Sequence, residues 1–424
     1  MGRVTARVSS PLPVPGGAAV TVVGVDAAAR PAYPGLADVL ADAGLVVGAA
    51  RHLAAAPVPP GCPTVTLGPL EPAVRRLAAA VAASTPAVVL ASGDPGFFGI
   101  VRRLRAAGLP VRVRPAVSSV AAAFARAGLP WDAAAVVSAH GRDLRPALNA
   151  CRALPAVAVL TAPGAGAAEI GAGLAGWTRR LVVAEHLGTP DERITWTTPA
   201  EAAATTWADP HVVLSLARAD ADPGRGRRAD NQPAAPPAEG WALPESAYAH
   251  RASMITKVEV RALVVARLRP RLGRLVWDVG AGSGSVGIEC ALLGAAVIAV
   301  EREPDAPIRA NAARHGVDVR VVAGAAPAAL DGLPDPDAVF VGGGGTAVLA
   351  AAAARRPSRV VATLAALDRV APAVHLLRDA GYAVEGSQLA AARLADLPGG
   401  SLRLAATNPV VVLTGEAPST WGNP

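Results

Sequence analysis

Lysine is almost missing from this 424-residue chain: Lys257 stands alone beside 39 arginines. Methionine occurs twice, and aromatic residues make up 3%. Ala, Gly, Pro, Val and Arg dominate, the imprint of a GC-rich coding sequence, so the net charge of +7 reads first as mutational bias. Arginines scattered along the whole length do not form the clustered stripe that a nucleic acid needs, and no nucleic-acid partner is expected. Three cysteines (Cys62, Cys151, Cys290) are too few and too dispersed for a disulfide framework or a thiolate metal site. No metal is expected, and a reducing, cytoplasmic setting fits. Long apolar runs are absent too. Thr346–Ala354 stops at an arginine, far short of the roughly 20 residues of a membrane span. Met1–Gly17 lacks the continuous apolar stretch of a signal peptide. No membrane partner is expected. With 52% hydrophobic and 17% charged residues, a charge-rich disordered chain is excluded.

At roughly 150 residues per domain, a chain of this length holds two or three. Ala219–Ser246 carries five prolines and no periodic apolar face, and reads as a linker. The expected division is residues 18–218, a linker at 219–246, and residues 247–416. On both sides strands alternate with helical stretches, the α/β signature. Before the linker there are too many strands for one small sheet, which predicts two α/β lobes. After it, strands at Leu275–Val279, Ala296–Val300, Val319–Ala323, Ala338–Val341, Arg359–Ala362 and Pro409–Thr414 predict a Rossmann-like open sheet.

The strand at Leu275–Val279 runs into Gly280-Ala281-Gly282-Ser283-Gly284, and a helix follows. Such a turn lets backbone approach a ligand, and the helix amides behind it can receive a polar group. The spacing Gly282-x-Gly284-x-x-Gly287 alone suits a dinucleotide, and a purely structural turn would look the same. Asp278 sits two residues before Gly280. That anion suits the cationic S-adenosylmethionine (SAM), whereas it would repel a pyrophosphate. Glu301, ending the next strand, is spaced to take a ribose diol, a feature shared with NAD sites. Asn311 follows ten residues on. No Asp/Asn-Pro-Pro-aromatic segment follows Phe340-Val341, so the arrangement for amino methylation of bases is missing. Cys290 lacks the preceding proline of a nucleophile and reads as core. Thr256-Lys257 marks the domain entry, either as a helix cap or as part of a site.

Met254–Lys257, Glu259–Arg261, Trp277–Glu289, Glu301-Arg302, Asn311, Gly324–Pro327 and Phe340–Gly343 together resemble the decarboxylating precorrin methyltransferases of cobalamin synthesis. The resemblance runs from Ala249 to about Gly415. It implies that SAM contacts Thr256, Asp278, the turn Gly280, Ala281, Gly282, Ser283 and Gly284, then Glu301, Gly324 and Ala325, with Lys257 toward substrate. It departs at Val361–Leu364, which lacks an expected asparagine. In the first half, Ala91–Gly99, Pro115–Ser119, Trp131-Asp132, Ser138–Arg142, Glu185–Gly188 and Glu192–Ile194 resemble the tetrapyrrole (corrin/porphyrin) methylases, which hold SAM in a cleft between two α/β lobes. That implies a second SAM at Gly24, Gly93, Asp94, Pro95, Ser118 and Ser119, and substrate at His140 and Arg142. The departure here is Val25–Ala29, where a glycine-rich turn is usual.

Joined in this order, the modules resemble the fused precorrin C(5,15)-methyltransferases (decarboxylating). The implied chemistry is methylation of a polycarboxylate tetrapyrrole at carbons 5 and 15, with loss of the ring C acetate carboxyl, giving precorrin-8. Carbon 15 and decarboxylation fall to the C-terminal module and carbon 5 to the N-terminal one. Two SAM sites per chain and a homo-oligomer are implied. No protein nucleophile is required, because the electron-rich ring carbon attacks, and arginines such as Arg102, Arg103 and Arg142 are candidates to clamp carboxylates. A nucleic-acid methyltransferase, an NAD-dependent oxidoreductase and a chain with only its C-terminal module active remain as alternatives.

Overall fold

A computed structural model describes residues 19–26, 35–217, 241–250 and 255–418. Most of the expected linker, Met254 and the Ala27–Ala29 departure lie outside the described residues.

The fold is α/β, with three main sheets. The first joins β1 (Val20–Val25), β2 (Leu45–Gly48), β3 (Thr64–Thr66), β4 (Ala87–Ser92) and β5 (Val111–Arg114) in the order β3-β2-β4-β1-β5. All its pairings are parallel. Strands covered on both faces must be apolar throughout, and β1 and β4 are valine-rich for that reason. The second sheet holds β6 (Ala135–Ser138), β7 (Ala156–Leu160), β8 (Arg179–Glu185), β9 (Arg193–Thr197) and β10 (His211–Ala217) in the order β6-β7-β10-β8-β9.

The third sheet contains β11 (Leu275–Val279), β12 (Ala296–Glu301), β13 (Arg320–Ala323), β14 (Ala338–Val341), β15 (Arg359–Leu364) and β16 (Ala383–Leu389). A hairpin, β17 (Ala392–Asp396) with β18 (Leu402–Ala406), precedes the last strand, β19 (Val410–Glu416). The order is β13-β12-β11-β14-β15-β19-β16, parallel except for β19, which runs antiparallel between β15 and β16. Strand order reverses between β11 and β14, where an open α/β sheet binds ligands at its carboxyl edge.

Side chains alternate across this sheet. Leu275, Trp277 and Val279 pack with the helices Gly345–Ala354 and Val370–Asp379. Val276 packs on the other face with Val258–Leu268 and Ser285–Leu292. Asp278 shares the face of Val276, so a carboxylate enters an apolar layer.

The chain divides into two compact units. One is Met1–Trp131 with Val183–Thr195 and Trp207–Val212; the other is Asp132–Val182 with Trp196–Thr206 and Val213–Pro424. Among the described residues, no helix is long and apolar enough to cross a membrane.

Candidate functional site

After β11 the backbone turns through three left-handed residues, Gly280 (φ 73°), Gly282 (φ 56°) and Gly284 (φ 77°). A side chain would strain each of them. Space is also short: a Cβ on Gly280 would lie 3.1 Å from the Gly343 amide nitrogen, and one on Gly284 would lie 2.8 Å from Ile308. Gly284 opens the helix Ser285–Leu292 without a capping side chain. Asp278 does that work from the strand, its Oδ2 accepting the Gly287 N–H at 2.8 Å.

Above the carboxyl ends of β11, β12 and β14 lies a cavity of about 1130 Å³. Thr256, Lys257, Gly280, Ala281, Gly282, Ser283, Glu301, Gly324 and Ala325 all line it. These residues come from four separate stretches of chain, and the fold brings them to one wall. Glu301 braces the turn: one carboxylate oxygen accepts from Gly282 N at 2.7 Å and the other from Glu303 N at 3.1 Å. The buried Ser283 Oγ has no protein partner.

Asp278 and Gly284 do not line the cavity. Asp278 was expected to face a cation directly, but it is fully buried behind the turn. Burial pushes its carboxyl up to about 7, against the pull of the Gly287 hydrogen bond, and the nearby Glu301 charge adds to the rise. Its second oxygen, Oδ1, has no hydrogen-bond partner. Asn311 likewise works from behind: its amide donates to the Ser283 and Ala249 carbonyls at 2.8 and 2.9 Å. Cys290 is buried in the apolar layer, and burial pushes its thiol up.

Residues given no site role from the sequence complete the wall. Gly342–Gly344 follow β14, and Arg302, Glu303 and Asp305 follow β12. Where an asparagine was expected after β15, Thr363 lines the cavity, and Asn408, between β18 and β19, lines it as well. Two ion-pair groups hold the entry segment. Arg261, wholly buried, donates to Glu289 at 2.6 Å and to the Thr256 carbonyl at 2.7 Å. Glu289 also accepts from the Ala242 and Leu243 amides and from Tyr248. Arg393, on β17, bonds both Glu245 and the cavity residue Glu259, and holds the Glu245 carboxyl down to about 2. The signal was present in Glu259-Val260-Arg261 and Glu289, but partners 28 residues apart cannot be matched from spacing alone.

The N-terminal candidates gather at the carboxyl edge of the first sheet, after β1, β4 and β5. Gly93 (φ 62°) donates to the Val25 carbonyl at 2.7 Å, and its own carbonyl accepts from Ala116 at 3.3 Å. Asp94 Oδ1 accepts from Gly96 N at 2.8 Å, an Asx turn that shapes the loop. Pro95 is buried, and Ser118 caps the helix Ser119–Ala127 by accepting from Ala121 N at 3.1 Å. Gly24 departs from expectation. It is buried, and a Cβ there would lie 2.2 Å from the Gly93 carbonyl oxygen and 2.5 Å from the Ala116 nitrogen. It allows the strand and loop to meet; it does not face open space. His52, unmarked in the sequence, pairs with Ser92 of the Ala91–Gly99 loop motif at 3.1 Å on the same edge. His140 and Arg142 are exposed just after β6, in the other compact unit, so His140 is not a core histidine.

A family profile described as "Precorrin methyltransferase domain" matches residues 246–414, and one described as "Tetrapyrrole (Corrin/Porphyrin) Methylases" matches residues 34–204. A Sinorhizobium protein, "Precorrin-6Y C(5,15)-methyltransferase [decarboxylating]", is 39% identical over 344 residues, covering 76% of this chain and 78% of that one. A Pyrobaculum calidifontis protein, "Probable cobalt-precorrin-6B C(15)-methyltransferase (decarboxylating)", is 38% identical over 174 residues, covering 38% of this chain and 89% of its own. A crystal structure of a Geobacter metallireducens precorrin-6Y C5,15-methyltransferase is 34% identical, with a TM-score of 0.40, and covers 42% of this chain and 98% of that one.

Proposed function

The chain belongs to the decarboxylating precorrin C(5,15)-methyltransferase family, and on that premise we propose that it holds two SAM molecules, one in each module. It is a SAM-dependent C-methyltransferase of cobalamin biosynthesis. The finer reading assigns carbon 15 and the ring C decarboxylation to residues 247–416, and carbon 5 to residues 18–218, with 219–246 as linker and precorrin-8 as product. A relative one module long, named for C(15) methylation and decarboxylation, supports this division. A homo-oligomer is part of the same proposal.

The observation that carries the C-terminal assignment is the convergence of Thr256, the Gly280–Ser283 turn, Glu301, Gly324 and Ala325 on one cavity of about 1130 Å³. SAM fits the donors present. Ser283 Oγ is a buried hydroxyl without a protein partner, and left-handed glycines bring backbone to the wall. When bound, SAM supplies an electrophilic methyl group. Glu301, at the end of β12, is placed to accept from a ribose diol, a charge-assisted contact of about 1.5–3 kcal/mol. Asp278 and Asn311 hold the turn from behind and keep it in register with β11. Lys257 and Arg302, both on the cavity wall, give the carboxylates of the tetrapyrrole cationic partners. Catalysis then rests mainly on holding the ring carbon in line with the methyl group, worth up to about 7–11 kcal/mol.

In the N-terminal module, the Gly93-Asp94-Pro95 loop and Ser118-Ser119 form the proposed second SAM site, with Gly24 as its packing support. His140 and Arg142 are proposed to meet substrate. Calorimetric titration of SAM into the full chain tests the reading. Two sites are expected, with Glu301→Ala removing or weakening one. A single site in the wild type would overturn the two-site proposal, and no binding would overturn the cavity assignment.

A further inference from the structure

The helix Arg145–Ala153 and the segment Gly173–Arg179 belong to the second lobe of the N-terminal half. They present a polar, arginine-bearing face with its matching groups on the C-terminal module. Arg179, whose side chain is wholly buried, donates to Asp318 at 2.9 Å. Arg145 pairs with Asp337 at 3.1 Å and donates to the Asp335 carbonyl at 2.9 Å. Asn149, fully buried, donates to the Gly273 carbonyl at 3.0 Å, while its oxygen accepts from Arg152. Trp177 lies between two guanidinium groups, Arg152 at 4.5 Å and Arg320 at 4.8 Å, and belongs to the same apolar cluster as Leu275 and Trp277.

We infer that this face is a docking surface for the C-terminal module of the same chain, so that the second lobe and the methyltransferase module work as one fixed body. Three observations carry this. First, charge is complementary: Arg145 meets Asp337 and Arg179 meets Asp318, and the Asp335 carbonyl accepts from Arg145 as well. Second, guanidinium and amide groups this buried keep stability only while partnered, so the face is costly to expose. Third, the backbone is shaped for the contact. Gly176 is left-handed (φ 81°), and a Cβ there would lie 2.5 Å from the Arg320 guanidinium carbon. Asp132–Val182 and Trp196–Thr206 fall in one compact unit with the C-terminal residues. The end of the expected linker, with Leu243 and Glu245, packs on the C-terminal module, so the connection is shorter than 219–246 and the side-chain interface does the holding.

The test uses the full chain with a site for a specific protease inserted after Ala234. After complete cleavage, verified on a denaturing gel, the halves are expected to elute together at the mass of the uncut chain. Asp318→Arg sets a cation against Arg179, and Arg145→Glu sets an anion against Asp337. Each is expected to weaken association of the cut halves at least tenfold, while the uncut variants keep their thermal transition and SAM binding. If one variant fails to fold, the other carries the test from the opposite side of the interface. Two separate peaks from the cut wild type would overturn the inference. So would cut variants that stay together as tightly as the wild type. Neither result depends on which reaction the chain performs.

Discussion

Binding of SAM should release protons near neutral pH, and Asp278 is the reason. Its carboxyl is buried, has one hydrogen bond, and is pushed up to about 7 from its ordinary 3.8. At pH 7 it is therefore about half protonated in the free protein. Asp278 lies directly before Val279 and Gly280, two residues of the cavity wall. A net positive charge bound in the cavity, if taken at about 8 Å from the carboxyl and an effective dielectric of about 20, would contribute about 2 kcal/mol, or about 1.5 pKa units. That shift would lower the group to about 5.5, so about half a proton leaves for each SAM bound at the C-terminal site at pH 7. Calorimetry at pH 7 in phosphate and in Tris measures the release, because the buffers take up protons with different enthalpies. The observed enthalpy should differ between buffers, and Asp278→Asn should remove the difference. Identical enthalpies in both buffers for the wild type would refute the reasoning. The same shift sets the stability of the free chain. A carboxyl raised in the folded state contributes stability that is present below about 3.8 and lost as pH rises to about 7, and Asp278→Asn should flatten that slope.

Glu245 gives the opposite sign. Arg393 holds it at about 2, so its contribution is present above about 4.5 and is lost as pH falls toward 2. Thermal scans of Arg393→Met across that window should show a shallower acid slope than the wild type. Glu289→Ala leaves the Arg261 guanidinium buried without its main partner and should cost about 3–5 kcal/mol in chemical denaturation. A loss under about 1 kcal/mol would contradict the buried-pair account. Gly24→Ala forces a methyl group against two backbone atoms, a strain of about 1–3 kcal/mol or more. It should abolish SAM binding at the N-terminal site and leave the C-terminal site titrating normally.

Much of the C-terminal site was legible because its chemistry is local. Leu275–Val279, the glycine turn and Glu301 lie within one strand–turn–helix–strand unit, and each falls where the sequence places it. Asp278 shows the limit. Its position in sequence was right, but strand alternation turns it away from the ligand wall and into the apolar layer, so its action on the site is indirect. Gly24 shows another: a glycine needed for backbone contact looks in sequence like one needed for ligand contact. The short strand Thr64–Thr66 and the hairpin Ala392–Asp396/Leu402–Ala406 were not foreseen. Three residues carry no usable period, and the hairpin exposes Leu394, Leu402 and Leu404 instead of alternating cleanly. Long-range partners such as Arg393 with Glu245, or Arg179 with Asp318, leave no trace in spacing at all.

The most direct test of the central claim is the mass of the product. The purified chain would be incubated with precorrin-6B and methyl-labelled SAM, and the tetrapyrrole analysed by mass spectrometry. The account predicts two labelled methyl groups gained and one carboxyl group lost as carbon dioxide, with Glu301→Ala impairing the carbon-15 methyl far more than the carbon-5 methyl. A tetrapyrrole recovered at its starting mass, from a chain that binds SAM, would contradict it.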